Sequence, residues 1–68
     1  MRQYALYAKN KITGWSGYVN SEGELSNWGD GGMIFNEEYF DEEYLKIIFL
    51  ENIQEEEKEE WLFESQEL

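Results

Sequence analysis

The 68-residue chain contains neither cysteine nor histidine, and those absences remove most of the chemistry open to a small protein. No disulfide can form, and the usual zinc ligands are missing. The commonest general base and the best nucleophile are also missing. A chain without cysteine suits the cytosol. The N-terminus "MRQYALYAKNK" lacks the long apolar stretch of a signal peptide. The longest apolar run, "IIFL" (47–50), is far too short to span a bilayer. These features predict a cytoplasmic, non-enzymatic protein with no cofactor.

Basic residues are scarce: five against sixteen acids, for a net charge of −11. The imbalance is uneven. Residues 1–21 hold Arg2, Lys9 and Lys11 and no acid, giving +3, whereas residues 22–68 hold every acid against Lys46 and Lys58, giving −14. Such a surface repels nucleic acid and anionic membrane and attracts a basic protein face.

Aromatic residues, by contrast, are abundant. Three Trp, five Tyr and four Phe make up 18% of the chain, far from the composition of a disordered acidic tail. They supply a dense core to a chain close to the lower size limit for one domain, so residues 1–68 read as a single folded unit.

Alternation in "QYALYAK" (3–9) predicts a strand, with Tyr4, Leu6 and Ala8 on one face and Ala5, Tyr7 and Lys9 on the other. "NKITG" (10–14) predicts a hairpin turn into "WSGYVN" (15–20), and "SEG" (21–23) a second turn into a strand near Leu25. "NWGDGG" (27–32) is a Gly-rich loop, and "MIF" (33–35) a further strand. That loop is too poor in oxygen ligands for calcium: Asn27 and Asp30 stand almost alone, and the better reading is a turn folding Trp28 onto the core.

The C-terminal half supports two readings. "YLKIIFLENI" (44–53) is β-branched, aromatic and apolar on both faces, which favours a buried strand paired with "EEWLFES" (59–65). The alternative is helical: Phe40, Tyr44, Ile47 and Ile48 fall at helical spacing, Asn36 could cap a helix opening with Glu37 and Glu38, and a second helix could cover 54–62. The fold class is thus β-rich, a small barrel or curved antiparallel sheet, or else α+β with N-terminal hairpins followed by an acidic helix.

"GWSGYV" (14–19) together with "KIIFLENIQEEEKEEWLFESQEL" (46–68) resembles small SH3-like barrels. There a strand leaves a Gly-x-x-Gly-x-Val turn, and a later hairpin ends in a Trp-containing strand and a short helical turn closing on Leu. The resemblance implies a barrel with Trp61 in its last strand and Glu67-Leu68 at its end, and as function an adaptor with an aromatic groove. In type, the whole chain resembles the small acidic proteins of bacteriophages and prophages, several of which are inhibitors that imitate nucleic acid.

Two acid runs are the candidate site: Glu37, Glu38, Tyr39, Phe40, Asp41, Glu42 and Glu43 in "NEEYFDEEYLK", and Glu55, Glu56, Glu57, Glu59 and Glu60 in "QEEEKEE". Glu42/Glu43 or Glu59/Glu60 could act as acid and base only if burial separated their pKa values, and runs of adjacent Glu are generally solvated. The charge exceeds the magnitude of about 2–8 that solubility requires of a small domain. An extended "EEEKEE" would also carry almost one carboxylate per ~3.3 Å, close to the ~3.4 Å between phosphates on one DNA strand. Tyr39, Phe40 and Tyr44 could then occupy the space of bases. The expected partner is the basic surface of a nucleic-acid-binding protein such as a nuclease, repressor, polymerase or defence complex, with no direct binding of nucleic acid. Plain solubility is the bland account of the same charge, and Tyr4, Tyr7, Trp15, Phe35, Phe49, Trp61 and Phe63 read as core.

Overall fold

A computed structural model describes residues 2–29 and 32–68. The chain forms β1 (Gln3–Asn10), β2 (Ser16–Val19), β3 (Leu25–Ser26), β4 (Phe35–Asn36), a 3₁₀ turn (Glu37–Tyr39), α1 (Glu42–Glu51), a second 3₁₀ segment (Glu55–Glu60) and β5 (Trp61–Glu67). All strand pairs are antiparallel. Central β1 carries β5 along one edge, from Tyr4↔Glu67 to Asn10↔Trp61. Its other edge is shared by β2 (Tyr7↔Tyr18) and β4 (Tyr4↔Phe35), and β3 extends β2 outward. The sheet curls without closing, because β3 and β5 do not pair. The protein is a β-rich small domain in which a curved half-barrel sheet is covered by one helix.

Each N-terminal hairpin begins with an asparagine whose side chain replaces missing backbone partners, as Asn does in turns. Asn10 is buried; its Oδ1 accepts from the Ile12 N–H (2.8 Å) and the Thr13 N–H (2.9 Å). Asn20 Oδ1 likewise accepts from Glu22 N–H and Glu24 N–H, and its Nδ2 donates to Ser26 Oγ at 2.9 Å. Both turns expected from the sequence are present. Gly14 and Gly17 are structural parts of this region: Gly14 sits in the first turn, and a Cβ on Gly17 would lie 3.1 Å from the Ser26 carbonyl oxygen.

Inward-facing Leu6, Ala8 and Val19 form the core with Leu45 and Phe49 of α1, and Trp61 and Phe63 set their rings edge-on to Phe49. Buried Ala5 and Met33 lie outside this cluster. Two aromatics expected inside are not. Trp15 is 71% exposed at the end of the first hairpin, and Trp28 is 57% exposed, its ring resting on Tyr18. Asp30 and Gly31 of the Gly-rich loop lie outside the described residues. Of the expected strand at 33–35 only Phe35 is in a strand, since β4 is Phe35–Asn36.

Residues 44–53, favoured above as a strand, are helical from Glu42 to Glu51, so the helical alternative holds there. The helix starts after Asp41, however, and not after Asn36, whose side chain makes no cap bond to the 3₁₀ turn that follows it. Local signals overcome the β-branched run. Asp41 caps the first turn by accepting the Tyr44 N–H at 3.0 Å. Glu42 and Glu43 suit the positive helix end, and Lys46 pairs with both. Leu45 and Phe49, four residues apart, then close the concave face of the sheet. "EEWLFES" consequently pairs with β1 rather than with residues 44–53. The helical turn expected after Trp61 precedes it instead, and Leu68 ends the chain with its N–H donated to the Gln3 carbonyl. Among the described residues no helix is long and apolar enough to cross a membrane.

Candidate functional site

Helix α1 separates the two acid runs. The first enters its N-terminus through the 3₁₀ turn Glu37–Tyr39, and the second leaves its C-terminus through Asn52. The helix itself, ten residues at a rise of ~1.5 Å, is ~15 Å long. The solvent face of the helix bridges them. Glu43, Ile47 and Glu51, one turn apart, are exposed, as is Tyr44.

The second run is not extended. Its six residues are 3₁₀, with three residues per turn and a rise of only ~2.0 Å. The carboxylates therefore radiate in three directions and do not follow the phosphate spacing of a DNA strand, which corrects the linear match expected from the sequence. Residues three apart eclipse: Lys58 Nζ reaches Glu55 Oε2 at 3.0 Å, while Glu60 turns inward, where its Oε1 accepts from Asn10 Nδ2 at 3.2 Å.

Within the first run several residues serve the fold. Phe40 stacks on Tyr4 at 5.2 Å between ring centroids and tilts against Phe35, so its ring is not available to a partner as the sequence suggested. Asp41 is the helix cap. Glu42 accepts the Ser65 hydroxyl of β5 and approaches Lys46 Nζ at 3.5 Å, and Glu43 approaches the same Nζ at 3.8 Å. Tyr39, by contrast, is 72% exposed and Tyr44 is 56% exposed. Among the described residues, no ion pair or hydrogen bond engages the side chains of Glu37, Glu38, Glu56, Glu57 or Glu59. These five acids, with Tyr39 and Tyr44, are the part of the expected site offered to solvent. Ile47 and Glu51 belong to the same surface and were missed; the i, i+4 spacing from Glu43 is the signal that would have found them once a helix was chosen.

The Ser65 hydroxyl holds the Glu42 carboxyl below the usual range; partial burial opposes this, and the Lys46 ammonium reinforces it. A carboxyl whose pKa is lower folded than unfolded adds stability above its unfolded value of ~4.3, and that stability disappears as pH falls through the folded value. In urea titrations between pH 6 and 3, the stability that the wild type holds over Ser65→Ala should shrink as pH falls through the folded value. A difference that stays constant with pH would show that Glu42 is not held by β5.

No group of three or more Asp or Glu among the described residues is arranged to hold a metal ion. Shallow hollows indent the surface of the described residues. One, of about 260 Å³, lies between Trp15, Ser16, Leu25, Ser26 and Asn27. Another, of about 220 Å³, lies between Tyr7, Lys9, Leu62, Phe63 and Glu64. Comparison with protein-family models, curated proteins and solved structures finds no match to this chain.

Proposed function

We propose that this protein is a non-enzymatic acidic binding protein, a phage-type inhibitor or regulator that occupies the basic nucleic-acid-binding surface of a bacterial protein. The observation supporting this reading is the set of acids in the two runs whose side chains make no ion pair or hydrogen bond among the described residues. Glu37, Glu38, Glu56, Glu57 and Glu59 project from two short 3₁₀ segments at opposite ends of α1, with exposed Tyr39, Tyr44 and Ile47 between them. A solubilising coat needs no such apolar centre, whereas binding surfaces place aromatic residues inside a polar rim. The imitation is of charge and not of phosphate spacing. Neighbouring acids without counterions repel one another, a cost that a basic partner removes.

The test is capture from a bacterial lysate in buffers of about 50 and 500 mM salt, where screening lengths differ about threefold, with duplex DNA as competitor. Basic nucleic-acid-binding proteins should be retained at low salt, released by DNA and lost at high salt. Changing Glu37, Glu38, Glu56, Glu57 and Glu59 to Gln should abolish capture and leave the fold intact. A second reading, an adaptor that seats a peptide in the hollow beside Trp15, is favoured by the exposure of that ring. It predicts capture that survives high salt and the Gln changes but fails with Trp15→Ala.

A further inference from the structure

The free edge of β5 is an unused half of a strand ladder. In an antiparallel pair, residues whose N–H and C=O point at the partner strand alternate with residues whose groups point away. Two bonds set the phase here: Leu68 N–H donates to the Gln3 carbonyl at 2.8 Å, and Lys11 N–H to the Glu60 carbonyl at 2.9 Å. With the register of β1 and β5, they assign Leu62, Glu64 and Gln66 to bonds with Lys9, Tyr7 and Ala5. The backbone groups of Trp61, Phe63, Ser65 and Glu67 therefore point away from β1. Among the described residues none of them has a backbone partner, because β5 pairs with β1 alone.

An open edge of seven residues invites a further strand, and natural proteins commonly blunt such edges with charge. On this edge the charge is selective rather than protective. Glu64 and Glu67 lie on β5, and Glu42 sits beside Ser65. Lys46 lies over the Phe63 ring and Arg2 approaches Glu67 at 3.8 Å, but the molecule as a whole carries −11. A second copy arriving at this edge brings the same negative charge and is repelled. A lysine- or arginine-rich strand is attracted, and its backbone finds four outward-facing residues at the spacing of a ladder.

We propose that β5 accepts an extended basic segment of the partner protein as a sixth strand, paired through the backbone groups of Trp61, Phe63, Ser65 and Glu67. The inference rests on the reading of this protein as a ligand for basic proteins, and it adds the mode of attachment: main-chain pairing supplies affinity, and alternate side chains supply selection.

The experiment uses the full-length protein and a ten-residue peptide alternating Lys and Val, with amide hydrogen exchange read by NMR. Without peptide, the Leu62, Glu64 and Gln66 amides should already be protected by β1, and those of Trp61, Phe63, Ser65 and Glu67 should exchange rapidly. Saturating peptide should slow exchange of these four at least tenfold. The same peptide N-methylated at alternate residues, with charge unchanged, should not. Ser65→Pro removes one outward N–H without touching a β1 bond and should weaken peptide binding about tenfold. Ser65→Ala, which also loses the hydroxyl contact to Glu42, should leave it within twofold. Salt-sensitive binding without protection of the four amides would overturn strand addition and leave the acidic-ligand reading standing. No binding of any Lys-rich peptide would overturn both. Protection of the four amides in the free protein, with dimerisation, would mean that the edge is closed by a second copy.

Discussion

Phe49→Ala should leave the domain largely unfolded in water at 25 °C. Phe49 is 3% exposed and is the point where helix and sheet meet: Trp61 and Phe63 stand edge-on to its ring at 4.9 and 5.8 Å between centroids. Truncating a buried Phe costs ~3–5 kcal/mol through lost transfer energy and the cavity left behind. Each aromatic pair is worth ~0.5–1.5 kcal/mol beyond its buried area. A single core in a chain under ~70–80 residues rarely supplies more than ~3–5 kcal/mol in total, and there is no disulfide to limit the loss. Far-ultraviolet circular dichroism should show both helix and sheet signals collapsing together. Tyr44→Ala, on the exposed side of the same helix, should retain both. A Phe49→Ala protein that unfolds at nearly the wild-type urea concentration would show that α1 does not close the core as described.

Gly23→Ala should lower stability by about 2–4 kcal/mol, two costs being combined at one position. Gly23 holds φ at +80°, where an L side chain costs ~1–2 kcal/mol. An added Cβ would also lie 2.8 Å from the carbonyl oxygen of Ile48 and 2.9 Å from its carbonyl carbon. Those are backbone atoms of α1, and they cannot rotate away. The site is also pinned from the helix side, since Asn52 Nδ2 donates to the Ile48 and Gly23 carbonyls. Gly14→Ala separates the two costs. Its φ is +83° and nothing lies within 4 Å of the added carbon, so only the ~1–2 kcal/mol of strain should appear. Equal losses at the two positions, measured by urea unfolding, would mean that the β2–β3 turn does not abut the helix.

Strands β1 and β2 were legible because their signals are local. Residues 3–9 alternate, and an asparagine opens each hairpin turn that follows. Residues 42–51 were misread because "KIIFL" carries the composition of a strand, and its helical state is decided by Asp41 at one end and by the sheet beneath it. No sequence pattern shows that the concave face formed by β1, β2 and β5 lacks a cover until β5 has been placed on β1, more than fifty residues away. The expected site fared similarly. Its charge and its residue types were visible, but Phe40, Asp41, Glu42 and Glu60 look the same as their neighbours in sequence and differ only in what they touch.

Composition and local pattern alone therefore determined that the chain is strongly acidic, rich enough in aromatics to fold, without thiol or imidazole chemistry, and β-rich from its first residues. These are sums and near-neighbour relations, and they do not depend on where the chain goes. Tertiary structure decided which end of α1 each acid run occupies, which carboxylates are engaged in caps and pairs and which are left to solvent, and that β5 joins β1 with one edge open. Those are questions of long-range pairing. They are settled by burial of Leu6, Val19, Leu45 and Phe49 against one another, which no local spacing encodes.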